Sequence, residues 1–197
     1  MNTKKILHEL KEHTPFTAIA ALIAILITIF ILYLIKTDVS EEVFHVLHPL
    51  HVLVSAIVTT GIFYKYKKKF IQALLIGITG AIIIGSISDI IFPYLGGLIF
   101  NLHMHFHLPI IEKPLIILSS AIIGCIMGIS FQITKIPHFI HVFLSVFASL
   151  FYLLAFSQAF ELIYFIGAFF IVFISVIIPC CLSDIIYPLL FLKKPKK

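Results

Sequence analysis

Apolar residues fall in six long runs, at about 16–35, 47–64, 70–95, 114–133, 138–156 and 162–192, with short polar segments between them. At a rise of 1.5 Å per residue, about 20 such residues cross a hydrocarbon core of ~30 Å. The pattern therefore predicts six transmembrane helices. Residues 1–14 are mostly polar, with Ile6 and Leu10 four apart. They predict a short amphipathic helix on the membrane surface. The third run contains Gly77, Gly80 and Gly85 and ends at Pro93 and Gly96-Gly97. The fourth carries Gly124-x-x-x-Gly128, a spacing that lets two helices approach closely. Pro179 is expected to kink the sixth.

Two strings recur in the same order. His48-Pro49-Leu50-His51-Val52-Leu53-Val54-Ser55 returns 90 positions later as His138-Phe139-Ile140-His141-Val142-Phe143-Leu144-Ser145. Ser88-Asp89-Ile90-Ile91-Phe92-Pro93 returns as Ser183-Asp184-Ile185-Ile186-Tyr187-Pro188. Matched segments in matched order point to an internal duplication. Equivalent spans are three apart, and three is odd, so the copies face opposite ways across the membrane. The fold expected is an all-α polytopic membrane protein of six transmembrane helices in a three-plus-three inverted-topology repeat. The chain, 1–197, forms one membrane domain, with a first repeat at 1–113 and a second at 114–197. Inverted repeats of this kind are common among secondary transporters.

Composition strengthens the membrane reading. Of 197 residues, 61% are hydrophobic and only 12% charged, and the mean hydropathy is +1.16. Soluble domains carry roughly 25% charge. The net charge of +5 comes from Lys alone, since there is no Arg. Twelve of the 14 Lys fall on one predicted side, in the N-terminal segment, at 65–69, at Lys135 and in the tail; Lys36 and Lys113 fall on the other. The positive-inside rule then places both termini in the cytoplasm and the protein in the cytoplasmic membrane. Lysines beside apolar runs orient a membrane protein, so no nucleic-acid partner is expected. The partners expected are the lipid bilayer and a small ion or solute, with a homo-oligomer left open. No small-residue cleavage site follows the first run, so no cleavable signal is expected. Cys125, Cys180 and Cys181 lie in apolar runs, without C-x-x-C, and read as small buried hydrophobes.

The chemistry lies in the polar residues within the apolar runs. His48, His51, Ser55 and Thr59 share one helical face, and His138, His141, Ser145 and Ser149 repeat that stripe. Such a stripe must face protein or water. A carboxylate in a span costs ~2.5–3.5 kcal/mol on insertion scales, which makes Asp89 and Asp184 site candidates. Each precedes a proline by four, which frees a backbone carbonyl. Imidazole with carboxylate suits a divalent transition metal, zinc or similar. The expected outer metal cluster is His48, His51 and Asp89 with one or more of His103, His105 and His107; a weaker inner one is His138, His141 and Asp184. Ser55, Thr59, Ser145 and Ser149 are expected to serve as a helix-packing polar stripe. His8, His13 and His45 read as interface residues.

These features favour a secondary transporter or permease for a divalent metal ion or other small solute, with no enzyme activity. No nucleotide-binding G-x-x-x-x-G-K-[ST] run is present. A second reading is an intramembrane metal-dependent hydrolase acting on lipid. In residue types, His51, Ser55, Asp89 and the His103–His107 segment are similar to the set of the alkaline ceramidase and adiponectin-receptor superfamily. That family has seven spans and a late HxxxH, which this chain lacks. A third is a non-catalytic accessory membrane subunit.

Overall fold

The computed structural model describes residues 3–36, 40–132, 135–157, 161–181 and 186–192, with side chains except at 3–10, 12, 13, 135–138, 180 and 181. Among them the structure is all-helical, with no strands. Helix α1 (Thr3–Ile29) runs on as a π-helix over Phe30–Ile35. Then follow α2 (Glu41–Tyr66), α3 (Phe70–Ser86), a π turn (Ile87–Ile91) and α4 (Phe92–Ile99). After an extended strap come α5 (Pro109–Glu112), α6 (Pro114–Phe131), α7 (Lys135–Ala155), α8 (Tyr164–Cys181) and α9 (Tyr187–Leu190).

Among the described residues, four helical stretches are long and apolar enough to cross a membrane: Thr14–Ile35, Glu41–Tyr66, Phe70–Ile99 and Pro114–Phe131. Two shorter apolar helices, Phe139–Ala155 and Tyr164–Pro179, pack among them. The N-terminal segment, expected as a short surface helix, forms one continuous helix with the start of the first apolar run, and Pro15 sits inside α1. The third stretch continues past Pro93 to Ile99, because the π turn and α4 extend α3 without a break.

Helix α2 is the centre of the bundle. Within its apolar window 67% is buried, against 28% for α1 and for α6. It packs on α3, α6 and α7. Helix α1 packs on α7 and α8, while α6 packs on α2 and α3. Both outer helices present small residues to their partners. On α1, Thr17, Ala21, Ala24 and Thr28 are buried; on α6, Ile117, Ala121, Gly124 and Gly128 are buried at the same intervals, 100 positions on. These lie at i, i+4, i+7 and i+11, a single helical face. The α6 seam is the tighter. A Cβ at Gly124 would strike the Leu53 carbonyl oxygen, and one at Gly128 the Ile57 carbonyl oxygen. Backbone cannot yield as a side chain can, so glycine is required there.

The prediction is direct. Gly124→Ala and Gly128→Ala each lower stability by roughly 1–3 kcal/mol through overpacking. At Gly85 the nearest heavy atom would lie 3.6 Å from an added Cβ. Gly85→Ala is therefore neutral, or stabilising by up to about 1 kcal/mol. Denaturant unfolding in detergent micelles measures all three. Equal losses at the three sites would refute the tight α2–α6 seam.

Candidate functional site

The site forms where α2, α7 and the π turn meet. The turn has a local cause. Pro93 has no N–H, so the α-helical bond to the Asp89 carbonyl is missing. The Phe92 N–H bonds instead to the Ile87 carbonyl, five residues back. This widened turn aims Ser88 and Asp89 inward, and both are 0% exposed. Single π turns recur at functional sites because they re-aim side chains within a helix.

Asp89 meets a donor at each of its lone-pair positions. Its Oδ2 accepts from His48 Nδ1 at 2.8 Å and from His51 Nδ1 at 2.5 Å. Its Oδ1 accepts from Ser88 Oγ at 2.7 Å and from Ser145 Oγ at 2.9 Å. An ionised carboxylate has about four acceptor positions, so this one is saturated. Ser149 Oγ donates to the Ser88 carbonyl at 3.0 Å and ties α7 to the same turn. The network also assigns the imidazole tautomers. Both rings carry their proton on Nδ1, which leaves the Nε2 lone pairs free. Among the described residues, His48 Nε2 and His51 Nε2 are buried with no hydrogen-bond partner, as is Ser86 Oγ, three residues before Asp89. His141, 1% exposed, stacks on the His51 ring at 4.5 Å and 16°.

Among the described residues, His48, His51 and Asp89 are the one group able to hold a metal ion, with one ligand atom of each lying within 4.8 Å of the others. A carboxylate on Nδ1 that leaves Nε2 toward the ligand is how proteins orient metal-binding imidazoles. The arrangement offers lone pairs and a buried negative charge, so it suits a cation or a proton donor.

The strap residues do not join this group. His103 is exposed, with its Nδ1 3.1 Å from the Asn101 carbonyl. His105 is exposed, and its amide donates to the Phe156 carbonyl at 2.8 Å. His107 turns inward but pairs elsewhere: its Nε2 lies 2.8 Å from His45 Nε2, and its Nδ1 2.8 Å from Glu112 Oε1. The physical reason is Phe44. Its ring stacks on His48 at 5.5 Å and stands edge-on to His107 at 6.2 Å, between strap and carboxylate.

On α2, Ser55 and Thr59 are buried in line with the two histidines. Asp184 and the His138 side chain lie outside the described residues, and so do the Cys180 and Cys181 side chains. Cys125 is buried and accepts from Thr60 Oγ1 at 3.1 Å.

Ser145 and Ser149, packing residues by their spacing, have polar tasks: one binds the carboxylate and the other its turn. Sequence reasoning also reads His45 as an interface residue and misses Phe44 and Tyr152. Their place one turn before His48, and on the helix of the second HxxH, was the available signal.

Protein-family models, curated proteins and solved structures were compared with this chain, and none matches.

The network carries its own test. Ser145→Ala removes one charge-assisted hydrogen bond and costs roughly 1.5–3 kcal/mol. Asp89→Leu leaves two imidazoles and two hydroxyls without their acceptor, and costs about 3–5 kcal/mol. Thermal unfolding in detergent ranks them. An Asp89→Leu loss no larger than that of Ser145→Ala would sink the idea that the carboxylate anchors the site.

Proposed function

We propose that this is a small membrane carrier for a divalent transition-metal cation, held between the Nε2 atoms of His48 and His51. The observation that carries the reading is the pair of unpartnered, fully buried Nε2 atoms beside a saturated carboxylate. A buried acceptor without a donor costs about 1–3 kcal/mol. Two of them on one anionic cluster mark a place built for a cation. Nitrogen ligands favour zinc-like metals over magnesium and calcium, which prefer oxygen.

Transport is the fitting use of such a site. The six-span, three-plus-three inverted repeat is supported by the recurring strings and by the helix pairing. Helix α1 against α7 and α8 matches α6 against α2 and α3, if α1, α2 and α3 correspond to α6, α7 and α8. The small-residue faces at 17–28 and 117–128 add a third match. Inverted repeats supply two related packings around one midplane site, one open to each side. In this reading both termini are cytoplasmic, by the Lys distribution, and the membrane is the cytoplasmic one.

Purified protein should bind about one Zn²⁺ per chain, measured by calorimetry with metal analysis. His48→Ala with His51→Ala abolishes binding, and Asp89→Asn weakens it by roughly 10–100-fold, the usual cost of losing an orienting partner. In proteoliposomes the wild type carries Zn²⁺ down its gradient and the double variant does not. Absence of binding to the wild type would sink the proposal. Stoichiometric binding without flux would favour a lipid hydrolase or an accessory subunit instead.

A further inference from the structure

The outer His-rich segment was expected to bind metal, and the structure gives it another arrangement. Four side chains form one hydrogen-bonded chain: Lys113, His45, His107 and Glu112. Lys113 Nζ lies 3.0 Å from His45 Nδ1. His45 Nε2 lies 2.8 Å from His107 Nε2. His107 Nδ1 lies 2.8 Å from Glu112 Oε1. The ends set the direction of every bond. Lys is a donor only, and ionised Glu an acceptor only. Lys113 therefore donates to His45 Nδ1, His45 Nε2–H donates to His107 Nε2, and His107 Nδ1–H donates to Glu112. Both imidazoles must be neutral, and no lone pair on either ring is left over.

This chain clips the strap over the end of α2. The strap is seated by the His105 amide on the Phe156 carbonyl at 2.8 Å and by the His107 amide on the Tyr152 hydroxyl at 3.1 Å. His107 stacks on Phe156 at 4.7 Å and 12°. Beneath it, Phe44 is fully buried, edge-on to Tyr152 at 5.2 Å and to Phe156 at 5.5 Å, with its face on His48. An aromatic plug thus fills the space between the clipped strap and His48.

We propose that the strap, 101–113, is a proton-operated lid over the His48–His51–Asp89 site. What lies beneath the lid rests on the function proposed above; the lid itself does not. A proton added to His45 Nδ1 sets an N–H against the Lys113 ammonium. A proton added to His107 Nε2 sets it against His45 Nε2–H. Either breaks one link, because both facing groups are then donors. Besides Glu112 and Lys113 at the end of the strap, the charged and titratable groups near the pair are Glu41 on α2 and Tyr152 on α7. Imidazole is the side chain whose ordinary titration falls between pH 5 and 8. The open form binds the extra proton and the clipped form does not. The clipped form is therefore favoured at high pH, and the lid is released as pH falls through the imidazole range.

Hydrogen exchange read by mass spectrometry tests this on the full chain in nanodiscs, without metal, from pH 8 to 5.5, after correction for the intrinsic rate. In the wild type, exchange of peptides covering 101–112 should rise as pH falls, by up to about tenfold per pH unit, the limit for one linked proton. His45→Gln removes one of the two titrating rings and should make the rise shallower. Lys113→Met should also flatten it, since His45 can then take a proton without losing a partner. Unchanged protection across the range in the wild type would overturn the lid. So would a wild-type slope retained in both variants. Zn²⁺ calorimetry at both pH 8 and pH 6 separates the two ideas: no binding at either pH defeats the carrier reading, while the exchange slopes alone decide the lid.

Discussion

The bundle is organised around one buried carboxylate. Placing Asp89 within a span costs several kcal/mol unless donors surround it. The cost is offset by four, drawn from α2, α7 and its own π turn. Each donor is only useful within about 3 Å, so the carboxylate sets the spacing of three elements at once. The π turn, caused locally by Pro93, serves the same demand. Without the irregularity before Pro93, Ser88 and Asp89 would meet their helix neighbours at a different angle.

The two copies of the HxxHVxxS stripe meet the same carboxylate through different atoms. From α2 come two imidazole nitrogens on Oδ2; from α7 comes the Ser145 hydroxyl on Oδ1. The duplicated string thus serves two tasks. One copy presents ligand-capable rings, and the other supports the carboxylate that orients them. His141 lies at the join, stacked on His51. The strap adds a further asymmetry, since an HxHxH segment follows the first Ser-Asp-Ile-Ile string but not the second.

Close packing makes this possible. Gly124 and Gly128 bring α6 against the back of α2 at Leu53 and Ile57. Ala20, Ala21 and Ala24 do the same service for α1 within the larger core with α7 and α8. With α6 packed close against its back, α2 turns its polar face toward the π turn and α7. Polar groups in a lipid-embedded bundle must turn to protein, and here the packing decides which protein surface receives them.

Much of this was legible in the chain. The apolar runs, the two repeated strings and the shared face of His48 and His51 are properties of period and spacing. Asp89 stood out because a carboxylate within an apolar run has to be compensated. The lone-pair arithmetic was not legible. Whether His107 joins Asp89 or His45 depends on where an extended strap crosses α7, and strap residues carry no period that fixes their direction. Ser145 looked like packing because a hydroxyl announces no partner. The sequence by itself determined a chain of long apolar helices with a recurring His and Asp pattern, since hydrophobicity and helical periodicity are local. Only the tertiary structure decided that the carboxylate saturates itself, that two Nε2 atoms stay free, and that Phe44 parts the strap from the site. Those outcomes depend on distances of about 3 Å between residues 38 to 68 positions apart, which no local pattern encodes.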